Sequence, residues 1–269
     1  MNIIKTDYFG DVESIRTGYG PIGPPVMSVF MYVVDGLVID TGQHRMAKAL
    51  SGLLKEKKLK LILLTHHHED HSGNAALISN LHAVPVMGHR LTAAKMESGF
   101  PILPYQRYVW GKAPPLKVTP MDEVIQTDRF TFTPVHTPGH SKDHTVFLEK
   151  QQGWLFSGDL YLNDRIKFFR ADERFADQIA SLKKILQYDF ETLFCAHNPS
   201  LTNAKLKIRS KLQFLEDLYG NIRKLVGKGF SEKTVIKTLD PKNDRWVKWI
   251  TMGNASFANM VRSALAAIH

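Results

Sequence analysis

Residues 65–71 read Thr-His-His-His-Glu-Asp-His, directly after residues 59–64, a short apolar run that fits a strand buried on both faces. His66 and His68 lie two apart, so in extended backbone their imidazoles point to the same side and can hold one metal together. Asp70 and His71 follow as the chain turns toward a helix, and this second pair can face a second metal a few ångströms away. A fold that uses this segment must end a buried strand at a polar edge and bring further ligands to the same edge, because each half-site is incomplete.

Three residues later in the chain meet that requirement. His140 lies in His-Thr-Pro-Gly-His after an apolar strand over 130–135, where Pro138 and Gly139 make a rigid turn. Asp159 follows the run 154–156 and His197 follows 192–195. With a further strand over 145–148, the pattern is that of a site built along one edge of a sheet. Upstream, apolar runs at 29–34 and 37–39 flank Asp35-Gly36, a hairpin dipeptide, and the second run ends at Asp40. Helices are expected over 43–58, from 72 or 73 to about 81, from 91 onward, and over 175–188. Residues 100–120 carry five prolines with Tyr105, Tyr108 and Trp110, and read as a long irregular loop that could act as a lid. From about 204 the apolar spacing is helical, with breaks at 227–229 and at Pro241.

The length of 269 residues fits one large domain with a modest appendage, and 43% hydrophobic against 23% charged residues excludes a disordered or fibrous chain. No stretch approaches the roughly twenty apolar residues of a membrane span, and the start lacks the apolar core of an export signal, so a cytoplasmic protein is expected. A single cysteine, Cys195, leaves metal binding to His and carboxylate. Of the net charge of +9, nearly all lies in residues 201–269, where 13 Lys or Arg face 5 Asp or Glu. Such a surface concentrates anionic partners or serves solubility only.

This chain resembles the metallo-β-lactamase-fold hydrolase superfamily, in its glyoxalase II-like and lactonase-like branch. The resemblance covers about residues 26–200 and rests on the motif His66, His68, Asp70, His71 and on the later positions His140, Asp159 and His197. It implies an α/β fold, a four-layer αββα sandwich with a helical C-terminal extension: a catalytic domain over 1–203 and an extension over 204–269 flanking the site. It further implies that His66, His68 and His140 bind a first metal, that Asp70, His71 and His197 bind a second, and that Asp159 bridges both. Asp40 matches the family's first motif aspartate, placed behind a ligating His. Asp159 stands where secreted zinc β-lactamases carry Cys or Ser, which argues against antibiotic hydrolysis.

The expected reaction uses a hydroxide held between two divalent ions, zinc first and iron or manganese as alternatives, to attack a small-molecule ester, thioester or lactone. Asp70 is the candidate to orient or deprotonate the nucleophile. A substrate with anionic character would suit basic residues such as Lys207, Arg209 and Lys211, and the aromatics Tyr105, Tyr108 and Trp110 are candidates for an acyl pocket, with simple packing as the alternative. Two other readings are a nuclease or phosphoesterase of the same fold and a metal-holding protein without turnover. No nucleic-acid module is visible, which argues against the nuclease, and no flavin-binding extension is visible either. His67 and Glu69 read as supporting or exposed residues, one of His136 and His144 as closing a strand and the other as packing or capping locally, and Cys195 as a buried thiol. The oligomer is left open, a homodimer included.

Overall fold

The computed structural model describes residues 1–240 and 245–268. Its first half builds a seven-stranded sheet. β1 (Ile3–Phe9) and β2 (Val12–Gly18) form a hairpin, followed by β3 (Val29–Val34), β4 (Leu37–Ile39), β5 (Leu61–Leu64), β6 (Val86–Gly88) and β7 (Thr119–Pro120), in that spatial order. The first four strands are antiparallel; β4 to β7 are parallel, joined by crossovers through α1 (Ala47–Leu54), α2 (Ala75–His82), α3 (Arg90–Ser98) and α4 (Pro104–Val109). The second half supplies β8 (Ile125–Gln126), β9 (Thr131–His136), β10 (Thr145–Glu149), β11 (Trp154–Gly158), β12 (Phe169–Arg170), α5 (Phe175–Ile185) and β13 (Thr192–Cys195). Five of these strands form a second sheet in the order β13-β11-β10-β9-β8. Then follow α6 (Ala204–Gly227), α7 (Glu232–Leu239), α8 (Arg245–Ile250), β14 (Ala255–Ser256) and α9 (Phe257–Leu265).

Strand alternation sorts the apolar side chains into three cores. In β5, Leu63 faces the second sheet while Ile62 and Leu64 face outward. In β10, Phe147 faces the first sheet while Val146 and Leu148 face outward. The two sheets thus meet over an aromatic layer of Tyr32, Phe132, Phe147, Phe156 and Phe194, in which Phe156 and Phe194 stack at 4.8 Å. The outer face of the first sheet packs against Leu50, Leu54, Ile78 and Met96 of α1 to α3. The outer face of the second packs against Leu182 of α5, Leu215 of α6, Val235 of α7 and Val261 of α9. Helix, sheet, sheet, helix is the four-layer αββα order that the resemblance implies.

Several local expectations change. The helix expected over 43–58 is a 3₁₀ turn at His44–Met46 followed by the shorter α1. Residues 100–120 are not wholly irregular: Pro104 occupies the first turn of α4, and Gln106 Oε1 accepts from Leu103 N at 2.7 Å. The hairpin of β1 and β2 was not read from sequence, because no residue of the outer strand β1 is fully buried and it lacks a buried apolar face. The C-terminal region is not purely helical, since β14 pairs with β12 (Phe169 with Ser256, Arg170 with Ala255). The break read at Pro241 lies outside the described residues. Among the described residues, no helix is long and apolar enough to cross a membrane.

Candidate metal centre

The seven residues singled out in the sequence come together where strands of both sheets end. His66, His68, Asp70 and His71 leave β5; His140 lies in the turn between β9 and β10; Asp159 follows β11; His197 follows β13. Around His68 Nδ1, His66 Nε2 stands at 2.9 Å and His140 Nε2 at 3.0 Å. Beside them, Asp159 Oδ1 lies 3.3 Å from His71 Nε2 and 3.4 Å from His197 Nε2, and Asp70 Oδ2 lies 3.4 Å from His197 Nε2. Asp159 Oδ2 reaches back to His140 Nε2 at 3.2 Å. One carboxylate therefore touches both groups of imidazoles.

The rear nitrogens explain why the front ones are free. His66 Nδ1 donates to Thr65 Oγ1 at 2.9 Å, His71 Nδ1 to Asp40 Oδ2 at 2.8 Å, and His197 Nδ1 to the Ser28 carbonyl at 2.9 Å. Each of these bonds puts a ring proton at the back, so that Nε2 faces the centre and would offer its lone pair to a cation. Glu173 Oε2 faces His140 Nδ1 at 3.6 Å. Asp40 also accepts from Thr65 N at 2.8 Å and from Thr65 Oγ1, so one carboxylate fixes both the start of the His-rich segment and its last ligand-type residue. Its backbone lies in the left-handed region at φ 57°, a strained setting for a non-glycine residue that this network holds in place.

Without a cation, the carboxylates and imidazoles of the centre hold one another's charge. Burial and then His71 hold His66 well below the ordinary imidazole range; burial and then Arg170 do the same for His68. Burial works against protonating His71 and His197 too, but Asp159 and Asp70 outweigh it and hold both well above that range. Asp159 is itself held low, because His197, His71 and His140 outweigh burial. His71 Nε2 and Asp159 Oδ1 face each other at 3.3 Å, buried and without a well-formed hydrogen bond, and a cation between them would take both as donors. Three sets of donors lie close enough to share an ion: His66, His68 and His140; His66, His71 and Asp159; and Asp70, His71 and His197. A donor set of imidazole and carboxylate without thiolate fits zinc, iron or manganese.

The remaining candidates fare differently. His67 and Glu69 are both buried rather than exposed: His67 N and Nδ1 contact Asp143, and burial with Asp70 pushes the Glu69 carboxyl up to about 7. His144 does more than local packing, since its Nε2 accepts from Asp159 N at 3.0 Å while burial and His140 keep it neutral, with its pKa at about 3. His136 stays exposed at the end of β9, and Cys195 is a buried thiol. Tyr105 OH accepts from Asn254 Nδ2 at 2.7 Å, which ties α4 to the C-terminal region, whereas Tyr108 is largely exposed and Trp110 half-buried. Lys211 leaves the set of basic surface residues: it is buried, with Nζ donating to the Leu160 carbonyl at 2.6 Å, and Lys207 pairs with Asp164 at 3.2 Å.

Sequence reasoning missed Asp143, Glu173 and Arg170. Asp143 accepts from His67 N and Thr92 Oγ1, at 2.9 and 2.8 Å, and so clamps the His-rich loop to α3. Its place three residues after His140 was the available signal; Glu173 and Arg170 had no local motif.

The comparisons with known proteins agree with this geometry. The family model described as the metallo-beta-lactamase superfamily matches residues 24–197. An atrochrysone carboxyl ACP thioesterase of Emericella nidulans is 28% identical over 182 residues, 65% of this chain and 52% of that protein. A hydroxyacylglutathione hydrolase of Hahella chejuensis is 30% identical over 179 residues, 64% of this chain and 60% of that protein. The chain thus spans about half the length of the thioesterases it matches. A metallo-beta-lactamase family protein of Thermus thermophilus shares the fold with a TM-score of 0.68 at 17% identity, over 97% of this chain and 94% of that one. With the family model spanning well over half of the sequence, the chain belongs to the metallo-beta-lactamase superfamily.

Proposed function

We propose that this chain is a two-metal hydrolase that cleaves a small-molecule thioester or a related ester. The observation that carries the reading is the pair of donor groups joined by Asp159, whose two oxygens reach His140 on one side and His71 and His197 on the other. In this reading His66, His68 and His140 would hold one ion and Asp70, His71 and His197 the other, with Asp159 a donor open to both. Two divalent ions held there, zinc first and iron or manganese as alternatives, would supply Lewis acidity for an acidified water and a polarised carbonyl.

The chain's own groups do the positioning. Asp70 orients the attacking water and takes up its proton. Asp40, Thr65 and the Ser28 carbonyl keep the rear imidazole protons in place, so the front nitrogens stay basic. Tyr105, tied to Asn254, forms one wall of the substrate site, with Tyr108 and Trp110 on the same segment. Residues 1–203 act as the catalytic domain and 204–269 as an extension flanking it. Thioesters rank first because relatives are named for hydrolysing an acyl group from a carrier protein and from glutathione.

The test is hydrolysis of a panel of thioesters, esters and lactones by zinc-reconstituted protein. Thioester turnover that falls about a hundredfold or more in His68→Ala is expected. A wild-type protein no faster than His68→Ala on every member refutes the reading.

A further inference from the structure

The turn that carries His140 is seated on α5 and on the loop before it. Arg174 N donates to the Gly139 carbonyl at 2.7 Å, and Ser181 Oγ to the Pro138 carbonyl at 2.6 Å. Gly139 lets the two segments close, since a Cβ there would stand 2.5 Å from Gln178 N.

Glu173 lies in that loop, buried, behind the imidazole. Its Oε1 accepts from Arg170 N at 3.0 Å and its Oε2 from Gln178 Nε2 at 2.5 Å, which fixes the carboxylate in one orientation. Oε2 then faces His140 Nδ1 at 3.6 Å. That nitrogen is buried and makes no hydrogen bond, while Nε2 on the other side of the ring meets His68 and Asp159. An imidazole that offers Nε2 to a cation carries its proton at Nδ1 and is steadied by an acceptor there, and Glu173 supplies the carboxylate on that side.

The loop is held in turn by the C-terminal extension. Ser263 Oγ of α9 donates to the Glu173 carbonyl at 2.8 Å and accepts from Phe175 N at 2.9 Å, so one hydroxyl ties Glu173 to the start of α5. β14 pairs with β12 and fixes Arg170, whose N–H orients the carboxylate. Ser263 and β14 lie beyond residues 24–197, so this support comes from outside the segment that the family model matches.

We propose that Glu173 is a positioning residue of the half-site made by His66, His68 and His140. It keeps the ring proton of His140 at Nδ1, and the C-terminal extension sets its place through Ser263. The inference rests on the metal assignment of the hydrolase reading and adds what the extension does for it: metal retention in one half-site depends on the last helix of the chain.

Metal binding tests this without turnover. Metal-free protein is titrated with zinc against a chromophoric chelator, and the Tm of the metal-free protein is recorded in parallel. Glu173→Gln keeps the size of the side chain and an oxygen for Arg170 N but turns an amide toward His140. Affinity for one of the two equivalents should then fall about 10–100-fold with Tm unchanged. A purely structural Glu173 would be rescued by Gln. The loss should persist in His197→Ala, where His66, His68 and His140 remain as an intact set. Ser263→Ala should weaken the same equivalent about fivefold, and Ser263→Thr, which keeps the hydroxyl, should restore it; this pair decides if Glu173→Gln does not fold. Wild-type affinity in Glu173→Gln, an affinity that falls only together with Tm, or no difference between Ser263→Ala and Ser263→Thr overturns the proposal, as does a wild-type protein that binds no zinc. Zinc bound as expected with no thioester turnover sinks the hydrolase reading and leaves this inference standing.

Discussion

Asp40 Oδ2 lies 2.8 Å from His71 Nδ1 and joins residues 31 positions apart in the chain. Through this contact a carboxylate at the end of β4 sets the tautomer of an imidazole beyond the end of β5. Both strand ends are fixed by the parallel pairing of β4 with β5. Asp40→Ala removes the acceptor behind His71 and the clamp on Thr65. Metal affinity should fall about 10–100-fold while the fold is kept, as measured by competition with a chromophoric chelator. Unchanged affinity would mean that His71 takes no part in holding metal.

Gly158 precedes Asp159 at φ +46°, and a Cβ there would stand 2.8 Å from His144 Nε2 and 2.9 Å from Thr65 Cβ. No side chain fits between the strand end and the His-rich loop, so Gly158→Ala must displace one of them. A loss of about 2 kcal/mol or more is expected, seen as a fall in Tm of several degrees, together with weaker metal binding. A variant with wild-type Tm and metal content would show that the approach is less tight than the geometry indicates.

The buried Lys211 ammonium predicts a pH dependence. Burial lowers its pKa from 10.5 to about 8, against the opposing pull of Glu173 and Asp159. Below about pH 8 the folded state carries a buried charge that the unfolded chain solvates freely. Between about pH 8 and 10.5 the unfolded chain binds more protons than the folded one, so this group makes stability rise with pH across that window. Urea denaturation of wild type minus Lys211→Met should show the rise; a flat difference over that range would contradict it.

How much of this could be read from sequence depends on how local each constraint is. The His66-x-His68-x-Asp70-His71 spacing was legible because donors that face one centre from a single short segment must obey such a spacing, and His140, Asp159 and His197 because each follows an apolar run. β12 and β14 are two-residue strands that exist only because each pairs with the other, and no window of sequence contains both. Arg170 and Glu173 were invisible for that reason. Lys211 misled because a lysine in a basic tail reads as solvated. Yet Ile208, Lys211, Leu215, Leu218 and Ile222 follow helical spacing, and that stripe is the buried face of α6.

The central claim is that two ions act together. Metal-free protein titrated with zinc, followed by calorimetry and by hydrolysis of a thioester, tests it most directly. The account predicts binding of about two equivalents, activity that reaches its plateau only at the second, and loss of that second equivalent in Asp159→Ala. Saturation at one equivalent with full activity, or two tightly bound ions that survive Asp159→Ala unchanged, would contradict it.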